Sequence, residues 1–227
     1  MSYAVILIEF MVLVYAGSRP SRDMLVAVGV SSNMVLITVF APYLIEVFGF
    51  VTNIGAVLYA GVVASQIVIL ERWGPLAARD VLPMVYPRLV MMFAVCSFLS
   101  LLPVVPGNEE FASAAHVVAT HQLSVVVACF AAFALSQMVL VMTYGYIRRA
   151  VGQIGAVVLG MVLCQAVDSP IFFGVAFYDM APADLVTFIA TGWMVKCVIG
   201  LVLTPAIFAA LWLARPSSVR RDVELAL

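Results

Sequence analysis

Charge is what this chain has least of. Charged residues make up 10% of its 227 positions and hydrophobic ones 65%, against about 25% and about 45–50% in ordinary soluble domains. So few charges cannot clothe a water-soluble fold of this size, and the apolar side chains are expected to face lipid. The net charge is −1, so there is no basic surface to neutralise phosphates and no nucleic-acid partner is expected. Cys96, Cys129, Cys164 and Cys197 all lie in apolar runs without CxxC spacing, which excludes a disulfide frame or a thiolate metal site. There is no GxxxxGK[ST] loop to hydrolyse ATP, no HExxH, and no Ser/His pairing inside an apolar run. Neither a catalytic residue, a metal nor a cofactor is expected. The N-terminus begins apolar without a basic flank, which does not read as a cleaved signal peptide.

Seven apolar segments are present, at residues 3–16, 24–45, 50–70, 84–105, 123–146, 154–177 and 185–214. Most match the ~20 residues that a helix needs to cross a hydrocarbon core. They are continuous runs, not alternating ten-residue strands, so helices are expected and not a barrel. The predicted fold class is an all-α integral membrane bundle of seven transmembrane helices: a six-helix core plus a short extra N-terminal helix, which carries Glu9. Residues 1–215 form the membrane domain and residues 216–227 a short tail. Arg19, Arg22, Arg72, Arg79, Arg88, Arg148, Arg149, Arg215, Arg220 and Arg221 fall around alternate connections. The other connections carry only acids, namely Glu46, Glu109, Glu110, Asp179 and Asp184. The positive-inside rule therefore sets the N-terminus outside and the C-terminus in the cytoplasm, in a multi-pass protein of the cell (inner) membrane. The longest connection, residues 106–122, is expected as an outer loop. Its Glu109, Glu110, His116 and His121 read as solvated side chains, because no second ligand pair stands nearby.

Ionisable residues at membrane depth mark functional sites by default, and two stand out. Asp168 is ten residues before Tyr178 and Lys196 twelve after Asp184, which puts both ~15 Å or slightly more below the outer end of a helical hairpin. Gly152, Ala156, Gly160, Cys164 and Asp168 repeat every fourth residue, as do Gly192, Lys196, Gly200 and Thr204. Such stripes permit close helix approach, so both charges should face protein. A structural ion pair locking the hairpin is the plain alternative. Gln137, Ser136, Asn53, Tyr59 and Asn33 are further polar candidates, and Phe172, Phe173 and Trp193 are candidate stacking surfaces. Ala56, Ala60 and Ala64 form another small-residue stripe, suited to packing or to docking a partner helix.

Over residues 152–205 the chain resembles the queuosine precursor transporter family, within the vitamin uptake transporter group. The resemblance is carried by Cys164-Gln165-Ala166-Val167-Asp168, Phe172-Phe173, Ala176-Phe177, Trp193, Lys196 and Thr204-Pro205. A second stretch comprises Phe48-Gly49, Asn53-Ile54-Gly55, Tyr59-Ala60, Glu71, Gly74 and Ala77, and Gln137 fits a family glutamine. Two family acids are replaced, by Ile67 and Leu140. The resemblance implies uptake of a small planar 7-deazaguanine base such as preQ0 or preQ1, a precursor salvaged for tRNA modification. It implies that Asp168, Lys196, Gln137, Asn53, Tyr59, Phe172, Trp193 and Gln165 contact this substrate. Glu71 is expected in a polar cluster or at the inner mouth; a solvated charge beside Arg72 is the rival. The expected partners are the small molecule and the bilayer, with a homodimer as one assembly state. A substrate-binding subunit of a multi-component vitamin uptake system is an alternative. Seven helices with one lysine in the last also suit a retinal-binding photoreceptor, although Gly192 stands where such proteins carry an acid.

Overall fold

The computed structural model describes residues 2–40, 43–47, 49–101 and 109–215, and within these all side chains except those of residues 2, 96, 99–101, 109–112 and 114–123. Helix α1 spans Ser2–Ser18. Helix α2 spans Arg22–Phe40 and is π-helical over Val26–Ser32. It begins at Ser21, whose hydroxyl accepts from the Met24 amide and satisfies one orphan donor of the first turn. Its last described residue is Phe40, and Tyr43 is already outside the helix. Strands β1 (Leu44–Val47) and β2 (Phe50–Asn53) then form a short antiparallel hairpin. Its turn uses Gly49 at φ 81°, a conformation that costs glycine nothing.

Helix α3 (Ile54–Arg79) is the axis of the bundle. Every residue from 55 to 70 is buried, and the helix packs against α1, α2, α7 and the pair α5–α6. Ala56, Ala60 and Ala64 are fully buried, so the stripe that suited a partner helix is used inside the chain. Gly74 (φ 83°, ψ 179°) breaks α3 ahead of Pro75, and the chain folds back so that Gln66 Nε2 donates to the Ala78 carbonyl at 3.3 Å. Helix α4 spans Val81–Leu101. Helices α5 (109–151) and α6 (153–176) run on from one another through Gly152, at φ 74° and ψ −176°. Helix α7 spans Pro182–Leu213.

Among the described residues, four helices are long and apolar enough to cross a membrane: Arg22–Phe40, Ile54–Arg79, the doublet Ser124–Ala176 and Pro182–Leu213, with shorter apolar helices at Tyr3–Ser18 and Val81–Val95. The chain is thus a helical membrane protein, with three departures from the segment map. The end of segment 24–45 and the start of segment 50–70 are strands, not helix, because β-branched and aromatic residues flank a two-residue turn. The 106–122 connection is helical from Glu109 onward, so α5 starts well before residue 123. Segment 50–70 continues as helix to Arg79. The tail at 216–227, residues 102–108, and the side chains of Cys96, Glu109, Glu110, His116 and His121 lie outside the described residues.

Candidate functional site

Asp168 on α6 and Lys196 on α7 meet at the middle of the bundle. Lys196 Nζ lies 2.6 Å from Asp168 Oδ2 and 3.3 Å from Ser169 Oγ, and both charged residues are 2% exposed. Three rings surround the ammonium, with Tyr59 and Phe173 centroids at 5.1 Å and Phe172 at 5.6 Å. Removing two charges from water is expensive, and a close pair with further polar and aromatic contacts offsets that cost. The approach of the helices depends on glycine. A Cβ at Gly192 would stand 2.4 Å from the Phe173 ring, and one at Gly200 2.9 Å from the Met161 sulfur. The stripe on α7 therefore packs on α6. The stripe on α6 turns partly the other way, with Gly160 against Leu140 and Tyr144 of α5.

Beside the pair is a cavity of about 10 Å³, lined by Asn53, Gly55, Tyr59, Asp168, Phe172 and Lys196 with apolar cover from α2 and α5. That is room for about one water. Asn53 ends β2 and caps α3, its Oδ1 accepting from the Ala56 amide at 2.8 Å. Its Nδ2 is buried without a partner. Tyr59, one and a half turns into α3, shares a 2.6 Å hydrogen bond with Ser136 of α5. Gln137 Nε2 donates to the Tyr59 hydroxyl at 3.4 Å and contacts Cys164 Sγ at 3.7 Å. Gln137 Oε1 and both amide atoms of Gln165 are buried and unpartnered.

The structure therefore brings Asp168, Lys196, Asn53, Tyr59 and Phe172 to one cavity, with Gln137 one hydrogen bond behind it. Gln165 is buried on α6 but does not line the cavity. Trp193 does not line it either and is 38% exposed. Phe173, a candidate stacking residue, and Ser136, a candidate polar position, belong to the cluster; Ser169 belongs to it too and was not singled out. Phe173 stood beside Phe172 in the quoted motif, and the four-residue spacing of Gly192 and Lys196 marked the surface it fills.

A second polar cluster lies at the arginine-bearing end. Glu71, with a side chain 5% exposed, accepts from Tyr144 Oη at 2.9 Å, Arg148 Nε at 2.7 Å and Gln153 Nε2 at 2.8 Å. It lines an open cavity of about 500 Å³ with Arg148 and Arg149. The hydrogen bond to Glu71, then its charge, holds the Arg148 guanidinium above its ordinary value. Arg72 is not the partner of Glu71. Its guanidinium donates to the carbonyls of Gly17 and Arg19, closing the C-terminal end of α1, and burial pulls it below its ordinary value.

The family model described as "Putative vitamin uptake transporter" matches residues 53–210. The chain belongs to the vitamin uptake transporter family. The match begins at Asn53 and takes in every residue of the central cluster and of the Glu71 cluster, so this is a multi-pass membrane transporter whose polar centre lies within its family core. No curated protein and no solved structure matches the chain. Helices α1 and α2 and strand β1 of the transporter precede the matched span. Both helices nevertheless pack on α3, and Met34 and Ile37 of α2 line the central cavity.

Proposed function

We propose that this transporter imports a small planar base, specifically a 7-deazaguanine queuosine precursor such as preQ0 or preQ1, and binds it between Asp168 and Lys196. The observation that carries the reading is a fully buried acid–base pair walled by Tyr59, Phe172 and Phe173. A carboxylate accepts two hydrogen bonds from the ring N–H and exocyclic amine of a guanine-like edge. An ammonium donates to a ring carbonyl or a cyano group, and the aromatic faces stack on the ring. The unpartnered Nδ2 of Asn53 adds a donor at the same cavity. An apolar surround strengthens each of these contacts.

A cavity of about 10 Å³ is far smaller than a bicyclic base, so the proposed binding requires the walls around the pair to move apart. The purified transporter should melt at a higher temperature with preQ0 or preQ1 than with adenine or uracil, and Asp168→Asn should abolish that difference. Equal responses to all four bases, or an undiminished response in Asp168→Asn, would refute the assignment. The proposed setting is the cell's inner membrane, with seven spans, the N-terminus outside and the arginine-bearing end in the cytoplasm.

A further inference from the structure

Glu9 is an acid at membrane depth that the central site does not use. It lies on α1, ten residues from Arg19, or ~15 Å into the bundle from the arginine-bearing end. Asp168 and Lys196 lie at a similar depth from the opposite end. Glu9 is 5% exposed, and its Oε2 accepts from Asn33 Nδ2 at 2.8 Å. The same amide nitrogen donates to the Gly29 carbonyl at 3.2 Å, inside the π-helical stretch of α2. That second bond fixes the orientation of the amide, so nitrogen and not oxygen faces the carboxylate. The neighbouring helix is shaped around the acid, since a Cβ at Gly61 of α3 would stand 2.1 Å from Glu9 Oε2.

The partner is neutral, and the charged groups on the adjoining elements are engaged elsewhere or lie at the ends. On α2, Arg22 pairs with Asp23 and with Asp80. On α3, Arg72 caps α1, Glu71 is held by Arg148, and Arg79 ends the helix. On α7, Lys196 is taken by Asp168, while Asp184 lies in the first turn. Glu46 is on β1 at the outer end. Tyr3 and Tyr15 stand toward the two ends of α1, and Tyr59 is bonded to Ser136. Arg88 of α4 reaches Ser31 of α2, two residues from Asn33.

We infer that Glu9 is the proton-carrying site of the transporter, a carboxylate that takes up a proton at the outer side and releases it at the inner side as substrate moves. The inference rests on the transport reading above. The step is a proton transfer alone: water or hydronium gives a proton to the carboxylate, the neutral acid returns it to water, and nothing is oxidised or reduced. A proton suits the site better than a metal cation, because the space between Glu9 Oε2 and the Gly29 oxygen is already filled by the Asn33 amide nitrogen. The route of coupling is short. Asn33 adjoins Met34, which lines the central cavity, and α1 packs directly on α7, the helix of Lys196. A π-helical segment is a common seat of local rearrangement, and here it carries the carbonyl that orients Asn33.

Two measurements test this. Infrared difference spectra of the ligand-free protein, recorded across a pH titration, should contain a protonated-carboxyl C=O band that titrates in the wild type and is missing from Glu9→Gln. No titrating band, or one that survives in Glu9→Gln, overturns the inference whatever the substrate is. In proteoliposomes, an inwardly directed proton gradient should accelerate preQ0 uptake several-fold, and Glu9→Gln should lose that acceleration. Uptake driven by a sodium gradient instead would overturn the proton assignment while leaving the substrate reading intact. If preQ0 is not transported at all, the substrate reading fails and the infrared result still decides the role of Glu9.

Discussion

At the scale of single residues, the buried pair separates a binding role from a purely structural one. Removing one partner leaves an uncompensated charge in an apolar surround, which costs about 3–5 kcal/mol. Lys196→Met should therefore lower the melting temperature clearly and abolish the response to preQ0. Replacing both with apolar residues, Asp168→Leu with Lys196→Met, removes the stranded charge, and most of the lost stability should return. Recovered melting without a preQ0 response supports a substrate site. Recovered melting with normal uptake would mean that the pair only clamps α6 to α7. The pair was legible in the sequence because ionisable groups inside apolar runs are conspicuous. Its aromatic wall was legible only in part. Trp193, three residues before Lys196, and Gly192, four before, lie on opposite flanks of it, about 100° apart around the helix. The Gly192 flank meets Phe173, and Trp193 is left partly exposed. Ser169 carried no signal of its own, and Ser136 was visible only as one more polar position in its helix, since a hydroxyl in a membrane helix can equally bond its own backbone.

At the scale of elements, the Glu71 cluster ties α3 to α5 and to the first turn of α6. Glu71→Gln keeps the shape but loses the charge that attracts Arg148, and it offers an amide where three donors converge. A cost of about 1–3 kcal/mol is expected, the penalty for donors left without good acceptors. The pH dependence follows from the sign of the Arg148 shift. Its folded value is raised, so its stabilisation is fully present below the unfolded value and is lost only as pH rises through the folded one, far into alkali. Melting curves of wild type and Glu71→Gln should therefore differ by a constant amount through the neutral range; a difference that vanishes toward mild alkali would contradict this account. The helices themselves were readable from apolar run lengths, and the α5–α6 break from Arg148 and Arg149. The hairpin was not, because residues 44–53 are nearly as apolar as the helices beside them. Only the β-branched and aromatic residues around Gly49 distinguish them. The start of α5 was hidden for the opposite reason, since Glu109, Glu110 and the histidines read as solvated loop whether or not the backbone coils.

At the scale of the whole molecule, the ends of the bundle bear on its orientation. Arg72 bonds the carbonyls of Gly17 and Arg19, and Arg22 reaches Asp80 at 3.5 Å. The α1–α2 and α3–α4 connections therefore sit together. Glu71, held by Arg148 and Gln153, brings the α5–α6 junction to the same end. At the opposite end, Leu44 and Val51 of the hairpin share a surface groove with Phe177, Met180 and Asp184 of the α6–α7 turn. For the described connections, charge pattern and contact pattern agree on which share a side, although they rest on unrelated physics: one on the cost of moving arginine across a membrane, the other on contacts within the chain. Arginine is retained on the cytoplasmic side, so a reporter fused after residue 227 should be active only in the cytoplasm. A cysteine introduced at Asp179, in a background lacking the native cysteines, should react with an impermeant maleimide added to intact cells. One at Asp80 should react only after the membrane is opened. Labelling of the Asp80 position from outside would invert the bundle, and with it the direction of proton movement assigned to Glu9. Labelling of both positions from outside would break the shared-side pattern, and no seven-span arrangement of these segments would survive it.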